Sequence, residues 1–482
     1  RRALQLNPDI PEVLSALVYT LRTLCDWALL DDYETQLLAR SEHYIAAGHP
    51  SPIVPFIAIF LKLEQKQLYA IVRSQALAES RLTANITPPT KMTHPNAIRC
   101  DFDNGDKLRI GYLSSAFRPH ATSHLAHTLF NLHDKSRYDV YIYAGTAPDL
   151  DNAQIQHIAD SATAFNDLSG MDDPTAATKI NEDQLHLLID MDGHINNNRQ
   201  AILRLRPAPV QVNFLGYPGT IGSDAIDYII GDAIVTPPEI EPWLQEKPAR
   251  LPHCYQFNNY PALAEAATPT RAELGLPDDA VIYCCFNITR KIEPEVFGCW
   301  MRILQKTDKG ILWFLVDAEQ TRSLLEREAA KYGIDACRLH FAPRCATDKH
   351  LARQRVADLF LDTFYCNAHT TASDALWCGL PVITKLGKTF ANRVAASLVT
   401  AAGLPECVLH SNDGYESKAI ELGNNPNALA ALRKRISEKS RLFDSVGYVQ
   451  NLERAYAKMW ENHTSNTHSA FNVLAPHQPP PS

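Results

Sequence analysis

Apolar residues recur along this chain with two different periods. From Leu4 and Leu6 through Val13, Leu14, Leu17, Val18, Leu21 and Leu24 they return at three- and four-residue steps, the spacing of one helix face. Helical patterning continues to about residue 85, and a polar stretch with Pro88, Pro89 and Pro95 follows. From Lys107 the period changes. Short apolar runs at 108–113, 138–143, 186–190, 210–215 and 226–230 alternate with helical segments. A second series runs through 281–286, 311–316, 338–341, 358–361, 382–384 and 407–410. Strands apolar on both faces and separated by helices predict parallel, doubly wound sheets. Two such series predict an α/β chain with two Rossmann-like lobes and a cleft between them. The expected division is a helical segment and linker over 1–100, a first lobe over 101–260, a second over 261–465 and a disordered tail over 466–482. Asn258, Asn259, Pro261 and Pro269 mark the lobe boundary, and a helix near 446–463 is expected to close the second lobe and reach back to the first.

Composition narrows the class. The chain has 482 residues, enough for several domains, and is 45% hydrophobic and 21% charged, ordinary values for a globular protein. A formal net charge of −8 without a basic stripe argues against nucleic acid as a partner. No apolar run is long enough to span a membrane. The first residue is Arg1 and no signal peptide is visible, so the expectation is a chain that starts inside something longer. Eleven cysteines are scattered, none in a Cys-x-x-Cys pair, which fits a reducing, cytoplasmic setting.

The chemistry concentrates at the ends of strands. Cys366 to Trp377 follows an apolar run and leads into a helix that begins at Thr370-Thr371 and ends before Gly379 and Pro381. The unpaired N–H groups and the dipole at a helix N-terminus suit a diphosphate. The two Thr hydroxyls add donors, and Asp374, one turn on, can accept from a ribose hydroxyl; an ordinary helix cap is the plainer alternative. Lys291 lies just past the strand at 281–286, where open parallel sheets bind ligands. His120 stands at a strand-to-helix turn facing the expected cleft, with His124 one helical turn on. Asp190-Met191-Asp192 imitates a metal-binding Asp-x-Asp but ends a buried strand; both carboxylates are expected to cap backbone, and His194 is a further candidate for the cleft.

Several of these motifs, in order, resemble those of the O-linked N-acetylglucosamine (O-GlcNAc) transferase and SPINDLY-like glycosyltransferase family. They are Leu108–Ser115 running into His120–Leu125, Leu205–Gln211, Leu215–Thr220, Phe286-Asn287 before Lys291, His369–Asp374, Asn392–Ser397 and Leu452–Glu461. Ala3–Asp9 resembles the end of a tetratricopeptide (TPR) repeat. The family resemblance implies a GT-B fold and inverting, metal-independent transfer from a UDP-sugar with no cofactor. It places Lys291, His350, Arg353, Thr370, Thr371 and Asp374 on the nucleotide, and Leu215, Gly216, Cys366 and His369 around the sugar. It makes His120 and Lys291 the catalytic residues. Three positions depart from the pattern. Ala116 stands where an acidic residue is sometimes the base, so the base is either His120 or the donor phosphate. Thr347 replaces a ribose-contacting lysine. Arg290 and Ile288 replace an aromatic and an amide near the N-acetyl pocket, which leaves plain glucose open as the donor sugar.

The resulting expectation is an enzyme that moves N-acetylglucosamine from UDP-GlcNAc to Ser/Thr hydroxyls of acceptor proteins or peptides. The alternatives are a UDP-glucose-dependent protein glucosyltransferase, a GDP-fucose protein fucosyltransferase and a non-catalytic TPR-type scaffold. A SPINDLY-type site resembles a run of threonines followed by Glu, so His369 and Asp374 favour UDP.

Overall fold

The computed structural model describes residues 11–98, 100–260 and 266–475. The TPR-like stretch at 3–9 and Pro261 lie outside them. Two parallel sheets dominate. The first contains β1 (Leu108–Ser114), β2 (Tyr138–Ala144), β3 (Ala164–Asp167), β4 (Leu187–Asp190), β5 (Val210–Asn213), β6 (Tyr228–Asp232) and β7 (Lys247–Leu251). The second contains β8 (Val281–Cys285), β9 (Gly310–Leu315), β10 (Leu339–Ala342), β11 (Leu359–Leu361), β12 (Val382–Lys385) and β13 (Val408–Leu409). A short β14 (Phe471–Asn472) returns to the first sheet, giving the orders β14-β7-β6-β5-β4-β1-β2-β3 and β10-β9-β8-β11-β12-β13. The central strands are buried along nearly their whole length, as sheets covered by helices on both faces require.

In each sheet the chain reverses direction beside its first strand: β1 pairs with both β2 and β4, and β8 with both β9 and β11. Such a topological switch opens a crevice at the carboxyl ends of the strands, where ligands bind. The loops after β1, β8 and β11 therefore carry the site.

The helices Pro11–Leu24, Leu30–Ala46 and Gln65–Thr83 pack against the lobes. Their apolar faces share one core with Leu113, Tyr143 and Tyr217 of the first lobe and Cys366 of the second. The helix Ser445–Thr464 follows the second lobe in sequence but packs on the first. Its Tyr456 hydroxyl lies 3.1 Å from that of Tyr112, its Glu453 meets His133 at 3.0 Å, and Trp460 packs edge-on against His186. The expectation that this helix reaches back to the first lobe holds.

One expectation fails. Residues 466–475 are not a disordered tail: β14 pairs in parallel with Ala249 and Arg250 of β7, the Val473 N–H donates to Arg250 O at 2.8 Å, and Val473 is buried. The open edge of β7 supplies the backbone partners that this short segment lacks alone. No helix among the described residues is long and apolar enough to cross a membrane.

Candidate active site

Asp362, just past β11, is fully buried and organises the loop that follows. Its carboxylate accepts from Thr363 N (2.8 Å), Ala368 N (2.6 Å) and Thr384 Oγ1 (2.7 Å). Burial pushes its pKa up to about 6 against those donors and the nearby Lys291 charge. The loop delivers His369 to the start of the helix Thr370–Trp377. From β8, buried Asn287 links the two loops, donating to Thr363 Oγ1 at 3.0 Å and accepting from Thr371 Oγ1 at 2.5 Å. A 3-10 turn, Thr289–Lys291, then brings the Lys291 ammonium to the Asn367 carbonyl at 2.5 Å. Lys291 and the first helical turn thus face one space from adjacent strands. An ammonium and N–H groups without intrahelical acceptors make an anion site.

The first lobe contributes His120, which precedes the helix Ala121–Ala126 and caps it: its Nδ1 accepts from Thr122 N at 3.2 Å. The neutral ring then carries its proton on Nε2. Burial, with Arg118 nearby, lowers the His120 pKa, which favours that neutral form. After β5, Leu215 adopts a left-handed backbone with φ of +79°. A Cβ at Gly216 would meet Met191 O at 2.0 Å, so glycine is required there by the neighbouring backbone.

A cleft of about 710 Å³ brings these groups together. His120, Leu215 and Gly216 line it from one lobe, and Lys291, Cys366, His369, Thr370 and Thr371 from the other. The His369 Nε2–H donates to Ala391 O at 3.1 Å, leaving Nδ1 as an acceptor. Burial pushes the Cys366 thiol up.

His350, Arg353 and Asp374 stand one layer behind this wall. The His350 ring packs edge-on against Phe286, which lines the cleft, at 5.3 Å. Its Nδ1 accepts from Arg353 Nε at 3.0 Å, and burial beside that guanidinium lowers its pKa to about 4. Arg353 also donates to Pro343 O at 2.7 Å and lies over the Phe286 ring. Asp374 accepts from the Tyr260 hydroxyl at 2.6 Å and meets His124 Nε2 at 3.5 Å.

The acidic pair is occupied by backbone and side-chain donors. Asp190 accepts from the N–H groups of Asp192 and Gly193 and from Gln200, and Asp192 from Ser114 Oγ and Ser115 N. Burial, then the Asp190 charge, lifts Asp192 to about 7. His194 does not face the cleft: it is buried against Tyr217 and donates to Ile221 O at 3.0 Å. Sequence reasoning missed Tyr19, Phe56 and Phe60, which the N-terminal helical segment sends to the cleft wall. No local motif marks them.

The sequence matches the model of glycosyl transferase family 41 over residues 24–266 and 262–452, nearly the whole chain. The chain belongs to glycosyl transferase family 41. A probable UDP-N-acetylglucosamine–peptide N-acetylglucosaminyltransferase SEC of Arabidopsis thaliana is 35% identical over 470 residues, 95% of this chain and 48% of that protein. The UDP-N-acetylglucosamine–peptide N-acetylglucosaminyltransferase of Caenorhabditis elegans is 29% identical, across 94% of this chain and 50% of that one. The chain thus spans about half the length of the curated relatives it matches. A mutant O-GlcNAc transferase of Thermobaculum terrenum superposes with a TM-score of 0.82 at 26% identity, covering 97% of this chain and 87% of that one. The two facing parallel lobes are therefore a GT-B fold.

Proposed function

We propose that this chain is an inverting glycosyltransferase that moves N-acetylglucosamine from UDP-GlcNAc to Ser/Thr hydroxyls of acceptor proteins. The observation that carries this is the convergence of Lys291 and the Thr370-Thr371 helix start with His120 and the Leu215-Gly216 loop across one cleft. The relatives from Arabidopsis thaliana and Caenorhabditis elegans, named as UDP-N-acetylglucosamine–peptide N-acetylglucosaminyltransferases, support this donor and acceptor class.

The acceptor oxygen attacks the anomeric carbon as the bond from that carbon to the diphosphate breaks, and UDP leaves with the electron pair. Lys291, the threonine hydroxyls and the helix N-terminus oppose the charge that develops on the leaving group. His120 presents Nε2–H, a donor rather than a base, so it orients an oxygen of the sugar or the acceptor. The hydroxyl proton then passes to a phosphate oxygen of the departing diphosphate. His350 and Arg353 shape the nucleobase end through Phe286, and Asp374 holds the ribose end through Tyr260 and His124. No metal is called for in this scheme, since cationic and N–H donors already face the diphosphate and the Asp190 and Asp192 carboxylates are engaged by the protein. A cytoplasmic location fits the free, mostly buried cysteines.

The test is UDP release from UDP-GlcNAc in the presence of Ser/Thr peptides, with mass spectrometry of the peptide and calorimetry of UDP. Binding of UDP with transfer of a 2-acetamido sugar is expected. Absence of UDP binding would refute the reading.

A further inference from the structure

Two residues past Lys291 stands Glu293, a carboxyl that the transfer chemistry leaves unused. It is fully buried and precedes the helix Pro294–Gln305 without capping it. Its Oε1 accepts from Phe364 N at 3.0 Å, in the loop after β11. The same loop carries the Asn367 carbonyl that receives the Lys291 ammonium. Lys291 and Glu293 therefore grip one loop, the loop that leads into the helix start at Thr370. The other oxygen, Oε2, is buried with no hydrogen-bond partner. Beside Glu293 lies Arg22 of the helix Pro11–Leu24, itself buried. Arg22 is committed elsewhere: its Nε donates to Glu34 at 2.5 Å and its guanidinium lies over the Tyr365 ring at 5.8 Å. The remaining groups that feel the Glu293 charge are Tyr365 itself, Cys285 of β8 and Glu295, whose carboxylate pairs with Lys62 and Lys385. Burial outweighs the attraction of Arg22 and pushes the Glu293 carboxyl up to about 8, so it is neutral at pH 7.

We infer that Glu293 is a positioning residue for Lys291: wedged between Arg22 of the N-terminal helices and the Phe364 N–H, it fixes the Lys291 turn against the loop that bears the Thr370 helix start. This rests on the transferase reading above, in which Lys291 opposes the charge of the leaving group. The turn is held at both ends by neighbouring residues of one helix. At its start Thr289 Oγ1 donates to Thr23 O at 2.6 Å, and at its end Glu293 lies beside Arg22. A buried carboxyl with one unpaired oxygen is costly, and neutrality keeps that cost low. Ionisation draws Arg22 away from Glu34 and shifts the turn that Arg22 and Thr23 hold. Lys291 acts on charge that forms only in the transition state, so a displaced turn lowers kcat and leaves KM nearly unchanged.

The experiment measures kcat and KM for UDP-GlcNAc across neutral and alkaline pH with the native chain, Glu293→Ala and Glu293→Gln, with UDP affinity by calorimetry and a thermal melt for each. At pH 7 Glu293→Ala is expected to lose about 10- to 100-fold in kcat, the scale of a displaced catalytic group, with KM within a few-fold of native. Glu293→Gln, uncharged and of the same shape, is expected to recover most of that kcat. Native kcat should fall through an alkaline limb centred at about pH 8, and Glu293→Gln should lack that limb. A Glu293→Ala turnover within a few-fold of native, a loss confined to the melting temperature, or an alkaline limb shared by the native chain and Glu293→Gln overturns the inference. If Glu293→Ala does not fold, the limb in Glu293→Gln decides alone. A Glu293→Gln chain that does not fold, or that turns over no faster than Glu293→Ala, also overturns the inference, because the neutral form is then not the working one. Each of these outcomes leaves the transferase reading standing. A native chain that neither binds UDP nor releases it from UDP-GlcNAc overturns that reading instead.

Discussion

Replacing Lys291 by alanine isolates the chemistry from the fold. In the folded protein the ammonium donates to the Asn367 carbonyl. Its loss costs stability on the order of 1 kcal/mol. In the transition state the same ammonium faces a diphosphate acquiring charge, and removing one such preorganised donor costs about 3 kcal/mol, or roughly a hundredfold in kcat. A second effect follows from Asp362, which burial lifts to about 6 and which the Lys291 charge pulls down. For an acid whose folded pKa lies above its unfolded value, stability is greatest below the unfolded value and falls as pH rises through the folded one. Without Lys291 that pKa climbs further, so the variant should lose more stability above pH 6 than near pH 4, where Asp362 is protonated in either protein. The assay is single-turnover transfer at saturating donor, paired with thermal melts at pH 5 and pH 8. Turnover within a few-fold of native would refute the leaving-group role. A melting-point gap no larger at pH 8 than at pH 5 would refute the coupling to Asp362.

Asp374→Ala should weaken UDP binding and destabilise the fold by about 1–3 kcal/mol, because the buried Tyr260 hydroxyl loses its acceptor; Asp374→Asn, which keeps an acceptor, should restore most of the stability, and unchanged UDP affinity in both variants would remove Asp374 from the nucleotide site. EDTA should leave transfer intact, and activity lost to chelator and restored by manganese would return Asp190 and Asp192 as ligand candidates. Because burial holds His120 below the ordinary histidine value, any acid limb of kcat/KM should be centred below that value, as protonation takes Nδ1 from the Thr122 N–H; an acid limb centred above it would contradict this.

Strands with unbroken apolar runs, such as β8 and β9, were legible because burial on both faces leaves no polar position to confuse the period. β3 was not: Ala164–Asp167 is an edge strand, partly exposed along its length. β7 hid behind Lys247, Pro248 and Arg250, and Arg250 is tolerated because its Nε donates to Thr236 O at 2.6 Å. Lys291, Thr370 and Thr371 were legible because each is tied to the end of a strand or the start of a helix. The setting of Asp374 behind the wall was not, since Tyr260 and His124 reach it from distant parts of the chain.

The N-terminal helices are more than a neighbour of the lobes. Thr289, in the Lys291 turn, donates to Thr23 O at 2.6 Å, Cys25 Sγ reaches Thr289 O at 3.6 Å, and Tyr19, Phe56 and Phe60 line the cleft. A recombination experiment guided by composition would cut in the proline-bearing stretch near 88–95, where the chain looks most like a hinge between modules. A chain cut there would keep both sheets intact and lose one wall of its cleft. An exchange of segments among relatives should therefore carry the helices from Pro11 to Thr83 together with the two lobes.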